Sequence, residues 1–169
     1  LSTMIGDLSG RTTVVVGASR GLGRGIARAF ADAGAAVVAV GRTAQGLAEL
    51  AATSANIRTE VADAADATVA PSLLDQYEPE VLILVAGANP LMRPLQHQTG
   101  ETFSVNWHAD VKIAFTWLRE ALLKPLPPGS RVVVMSSGAA INGSPASGGY
   151  AGAKATQRFL ADYAQEESR

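Results

Sequence analysis

Short, wholly apolar runs alternate along this chain with longer stretches in which apolar residues recur at helical spacing. Residues 11–16 (RTTVVV) end in a β-branched run and predict a first strand. A glycine-rich segment follows at 17–25, and an alternation of small and apolar residues through Ile26, Ala29 and Phe30 predicts a helix after it. Gly34 stands where that helix would end in a left-handed cap, and residues 35–40 form a second apolar run that reads as a strand. Leu47 and Leu50 mark a helix over residues 44–53, residues 57–61 predict a third strand, and Val69, Leu73 and Leu74 a further helix. VLILV at 81–85 is apolar on both faces, as in a central parallel strand covered on each side, and residues 131–135 repeat the signature. One long helix is predicted between them, over residues 102–123, closed by KPLPPG, through which no helix continues.

Strand followed by helix, five times over, predicts an α/β fold. Parallel neighbours need crossovers, and right-handed crossovers cover both faces, so the expected architecture is a doubly wound parallel sheet in three layers, α/β/α. No internal repeat, low-complexity tract or long linker interrupts the 169 residues, and a single domain is expected over 1–169.

Composition narrows the class of partner. With 47% hydrophobic and 17% charged residues the chain can bury a real core. A net charge of −1 without blocks of like charge argues against nucleic acid or a membrane surface and for a small-molecule partner. There are no cysteines, which excludes disulfides and thiolate chemistry, and the only histidines, His97 and His108, do not make a metal site. No run approaches the ~20 apolar residues of a membrane helix, so a cytoplasmic protein is expected.

The chemistry begins at VGASRGLG. Gly17, Ser19, Arg20, Gly21, Leu22 and Gly23 lie where the first strand becomes the first helix. Amides at a helix start, with the positive end of the helix dipole behind them, favour an anion, and glycines let backbone approach it. The spacing is G-x-x-x-G-x-G, not the G-x-G-x-x-G of the general dinucleotide fingerprint, and its position between strand and helix carries the assignment. Arg42 ends the second strand, where an acidic residue would accept the ribose hydroxyls of NAD. An arginine there, with Arg20 in the turn, suits a 2′-phosphate, so NADP(H) is expected over NAD(H).

Tyr150 and Lys154, in YAGAK, are four apart on the helix after the fifth strand and share one face. A phenol of pKa about 10 is a poor acid or base near neutrality unless a neighbouring cation stabilises its anion, and Lys154 is placed to do so. Ser137 follows the fifth strand, at the carboxyl edge where open α/β sheets hold ligands, and its hydroxyl suits a substrate carbonyl. YxxxK by itself arises by chance in about one sequence in twenty of this composition, so it needs the company of other motifs.

Together, VGASRGLG, FSVNW, MSSGAA and YAGAK resemble the short-chain dehydrogenase/reductases over nearly the whole chain. The resemblance implies a Rossmann-type fold and an NAD(P)-dependent oxidoreductase acting on CH-OH or C=O groups. It implies Tyr150 as proton donor or acceptor, Ser137 positioning the carbonyl, Lys154 binding the nicotinamide ribose and lowering the tyrosine pKa, and Asn106 supporting a proton-relay water. Asp63 is implied to receive the adenine amino group, and the backbone at Ala86 and Gly87 to line a ribose.

Three residues depart from the family pattern: Val16 stands for a threonine, and Leu84 and Val85 replace both asparagines of an NNAG segment. Family members also continue through two further strands and a substrate-covering loop, so a C-terminally incomplete sheet is expected. On the long helix, Val111, Phe115, Leu118 and Leu122 make one apolar face and Ile113 with Trp117 a second. The resemblance assigns such a surplus face to a homodimer or homotetramer. Two functions compete: an NADPH-dependent carbonyl reductase or alcohol dehydrogenase, and a non-catalytic NADP(H)-binding sensor or regulatory subunit.

Overall fold

The computed structural model describes residues 6–169. Five strands, β1 (Thr12–Val16), β2 (Ala36–Gly41), β3 (Ile57–Val61), β4 (Val81–Leu84) and β5 (Arg131–Val134), form one sheet in the order β3-β2-β1-β4-β5. The pairings of β1 with β2, β1 with β4 and β2 with β3 are parallel, with Val16 opposite both Val40 and Leu84. Helices α1 (Gly21–Asp32), α2 (Ala44–Ala51), α3 (Val69–Tyr77), α4 (Gly100–Phe103), α5 (Lys112–Leu123), α6 (Ala139–Asn142) and α7 (Tyr150–Glu167) flank and connect them. The expected α/β order with a parallel sheet is present.

The chain divides into two compact units: residues up to Ala86 with Leu126–Val133, and Gly87–Pro125 with Val134–Arg169. The first holds nearly the whole sheet. Val14, Val15 and Val16 of β1 and Ala39 and Val40 of β2 are fully buried, and Val15 and Ala39 share a core with Ala27, Ala31, Leu47 and Leu50 of α1 and α2. These runs are apolar on both faces because both faces are covered. The strand order reverses between β1 and β4, and such switch points open a crevice beyond the carboxyl ends of the strands, where open α/β sheets take ligands. β5 differs from β4 despite its similar sequence, since it forms an edge and leaves Val132 and Val133 exposed.

In the second unit the single helix expected over 102–123 is broken. Thr99 caps α4 reciprocally with Thr102, α4 ends at Phe103, and a π-helical turn at Trp107–Val111 precedes α5. The stripe it buries is Val111, Ile113, Ala114, Trp117 and Leu118, so the two predicted faces merge into one. Phe115, at the rim of that arc, is exposed, and so are Trp107 before it and Phe159 and Tyr163 on α7. Among the described residues no helix is long and apolar enough to cross a membrane.

Candidate functional site

The first unit builds the glycine turn at the β1/β4 switch point. Gly17 has φ +95°, a left-handed conformation, and a Cβ there would lie 2.5 Å from the Ala86 nitrogen just beyond β4. At Gly23 a Cβ would lie 1.9 Å from the Gly17 carbonyl oxygen, so the first turn of α1 sits against the backbone of the preceding turn. Gly21 is also left-handed, at φ +56°, and faces open space. Arg20 occupies the N-cap position of α1 without capping it through its side chain, leaving the first-turn amides to another acceptor. Leu22 and Arg20 are exposed, and Ser19 is partly buried.

The end of β2 closes on this turn. Cβ positions at Gly41 and Gly46 would fall 3.2 Å from the Ser19 side chain and 2.7 Å from the Ser19 carbonyl, and Arg42, exposed, follows at once. A helix start with two exposed guanidiniums on the adjoining backbone offers donors suited to an anion. Asp63, exposed past β3, accepts the Ala65 amide at 3.0 Å and so shapes its own turn. Ala86 donates its amide to the Val16 carbonyl at 2.9 Å. Val16 and Leu84, the apolar departures from the family pattern, are buried, and Val85 packs against the core.

The second unit gathers the side chains expected to be catalytic. Tyr150 is the first residue of α7, half-buried, and the Lys154 ammonium one turn later lies 5.7 Å from its ring centroid. Ser136 donates its hydroxyl to the Lys154 carbonyl at 2.9 Å, tying the segment after β5 to α7. Beside it, Ser137 accepts the Ala139 amide at 3.1 Å and stays partly exposed. Asn106, 1% exposed, donates to the Ala88 carbonyl at 2.7 Å.

One residue that the sequence did not single out joins two of these. Asp110, in the π-turn, is 1% exposed and takes the Lys154 ammonium at 2.9 Å. It also accepts from the Ala88 amide at 2.8 Å and the Asn106 amide at 3.2 Å, and its backbone carbonyl accepts Gln157 Nε2 at 3.0 Å. The available sequence signal was slight: an acid four residues after Asn106, on the stripe continued by Val111 and Ala114.

Comparisons with known proteins bear on both units. The family model described as short chain dehydrogenase matches residues 11–169. The L-xylulose reductase of Bos taurus is 32% identical over 124 residues, covering 71% of this chain and 51% of that protein. The D-erythrulose reductase of Gallus gallus is 30% identical over 164 residues, covering 94% of this chain and 59% of that one. The chain thus spans about half the length of the curated relatives it matches. Among solved structures, a putative short chain dehydrogenase from Pseudomonas syringae superposes with a TM-score of 0.84 at 28% identity, over 95% of this chain and 70% of that one. A short-chain dehydrogenase/reductase from Vibrio parahaemolyticus reaches 0.85 at 24% identity, over 93% and 70%, and supports the fold.

Proposed function

The chain belongs to the short chain dehydrogenase family, and from that premise we propose that it serves an NADPH-dependent reductase of carbonyl compounds, or the reverse oxidation of the alcohol. The observation that carries the proposal is the tyrosine one helical turn from a buried, ion-paired lysine, in a chain that also carries a tightly packed glycine turn after its first strand. In this reading the whole described chain acts as one dinucleotide-binding domain.

NADPH, when bound, supplies a hydride to the carbonyl carbon of the substrate. The chain's own residues do the rest. Gly17, Ser19, Gly21, Leu22 and Gly23 hold the diphosphate through backbone, Arg20 and Arg42 take the 2′-phosphate, Asp63 the adenine amino group, and Ala86 and Gly87 line a ribose. Ser137 orients the carbonyl oxygen, and Tyr150 gives that oxygen the proton that completes the alcohol. Lys154 binds the nicotinamide ribose and, by its positive charge, favours the tyrosinate left behind. Asn106, already spending its amide hydrogens on Ala88 and Asp110, supports the relay that reprotonates Tyr150.

The exposed Trp107, Phe115, Phe159 and Tyr163 support a further element, association into a homodimer or homotetramer through the π-turn, α5 and α7. The relatives' names, L-xylulose reductase and D-erythrulose reductase, make small polyhydroxylated ketones the first substrates to assay. In an NADPH-oxidation assay over ketoses and other ketones, Tyr150→Phe is expected to lose turnover by at least about a thousandfold while binding NADPH normally. Turnover retained in that variant overturns the role of Tyr150. NADPH binding by the wild type without turnover on any carbonyl selects the sensor instead, a reading favoured by the apolar Leu84 and Val85.

A further inference from the structure

A carboxylate removed from water is strongly disfavoured unless charges and donors around it replace its hydration. Asp110 meets that condition in an unusual place. One of its oxygens takes the Lys154 ammonium, whose side chain is only 8% exposed, and the other takes two N–H donors, from Ala88 and Asn106. The π-helical turn at Trp107–Val111 displaces the backbone from α-helical register, and Gln157 of α7 anchors the Asp110 carbonyl. Gly87 completes the fit: a Cβ there would lie 2.5 Å from Asp110 Oδ2, so the carboxylate lies flat on bare backbone.

Three segments therefore converge on one carboxylate: the stretch leaving β4, the π-turn, and the first turns of α7. The first of them leaves β4 through Leu84 and Val85, whose apolar side chains offer no hydrogen bond to brace it. Asp110 supplies a polar brace from another element. It also fixes the ammonium that lies 5.7 Å from the Tyr150 ring. An ion pair serving stability alone would not need to use Lys154, which the proposed function assigns to the cofactor.

We propose that Asp110 is a positioning residue, holding the Lys154 ammonium where the cofactor ribose is received and clamping the Ala88 amide so that the segment after β4 keeps its shape. The inference rests on the reading that Lys154 contacts the cofactor. It is tested on the full chain by fluorescence titration with NADPH of the wild type, Asp110→Asn, Lys154→Met and the double variant, each verified as folded by circular dichroism. Asp110→Asn keeps size and an oxygen for Ala88 but removes the charge. It is expected to weaken binding about tenfold, Lys154→Met at least as much, and the double variant no more than Lys154→Met alone. Asp110→Glu keeps the charge but moves it by one methylene, and is expected to weaken binding by a comparable factor, which provides the test should the asparagine variant not fold. Wild-type affinity in either Asp110 variant, or losses that multiply in the double variant, overturns the proposal while leaving the function intact. A folded wild type without affinity for NADPH removes the function and this inference with it.

Discussion

At Gly23 a single methyl group would need the volume held by the Gly17 carbonyl, 1.9 Å from where its carbon must go. Both partners are backbone, so neither can rotate aside, and overpacking of this kind costs about 1–3 kcal/mol. Gly23→Ala is expected to lower the unfolding midpoint and weaken NADPH binding at least about tenfold, since the displaced amides are those proposed to hold the diphosphate. Unchanged affinity in that variant would separate the turn from the cofactor. This constraint is legible in the sequence because it is local: strand, glycines and helix are contiguous. Tyr150 and Lys154 are legible for the same reason, being one helical turn apart. Asp110 was not, because what makes it important, Ala88 and Lys154, lies far from it along the chain and reaches it only through the fold.

Among elements, β1, β2 and β4 announce themselves by runs without polar residues, and they are the strands buried on both sides. β5 carries a similar run yet forms an edge, a distinction set by neighbours and not by propensity. The break after Phe103 escaped the periodicity because a π-turn preserves an apolar stripe while shifting its phase, and the Thr99 cap is too short a signal to mark a new helix. The β3 to α3 connection carries a pH prediction. Tyr77, at the end of α3, donates to Glu60 of β3, and the Arg58 guanidinium lies 6.0 Å from its ring centroid. Burial first, and then the Glu60 carboxylate, push the Tyr77 phenol above its ordinary value, against the smaller opposite pull of Arg58. The neutral phenol is thus favoured by folding: the stabilisation is complete below the unfolded value of about 10 and is lost as pH rises through the higher folded one. An alkaline titration followed by tyrosinate absorbance is expected to show a late-ionising component that Tyr77→Phe removes. An unaltered upper limb in that variant would contradict the assignment.

At the scale of the molecule, the family is established over residues 11–169, and the activity proposed for it extends from there to the NADPH-dependent reduction of small carbonyl compounds. Exposed aromatics on the π-turn, α5 and α7 predict self-association. Phe115→Glu with Phe159→Glu should shift the sedimentation of the full chain from oligomer toward monomer, and a wild type already monomeric at high concentration would refute that surface's role. The proposed function depends above all on the backbone after β1 holding a dinucleotide. The direct measurement is a calorimetric titration of the folded chain with NADPH and, in parallel, NADH. Saturable binding at one site, tighter for NADPH because Arg20 and Arg42 meet its extra phosphate, is the predicted result. Absence of heat and of saturation with both nucleotides, in a preparation whose circular dichroism shows the α/β fold, would contradict it.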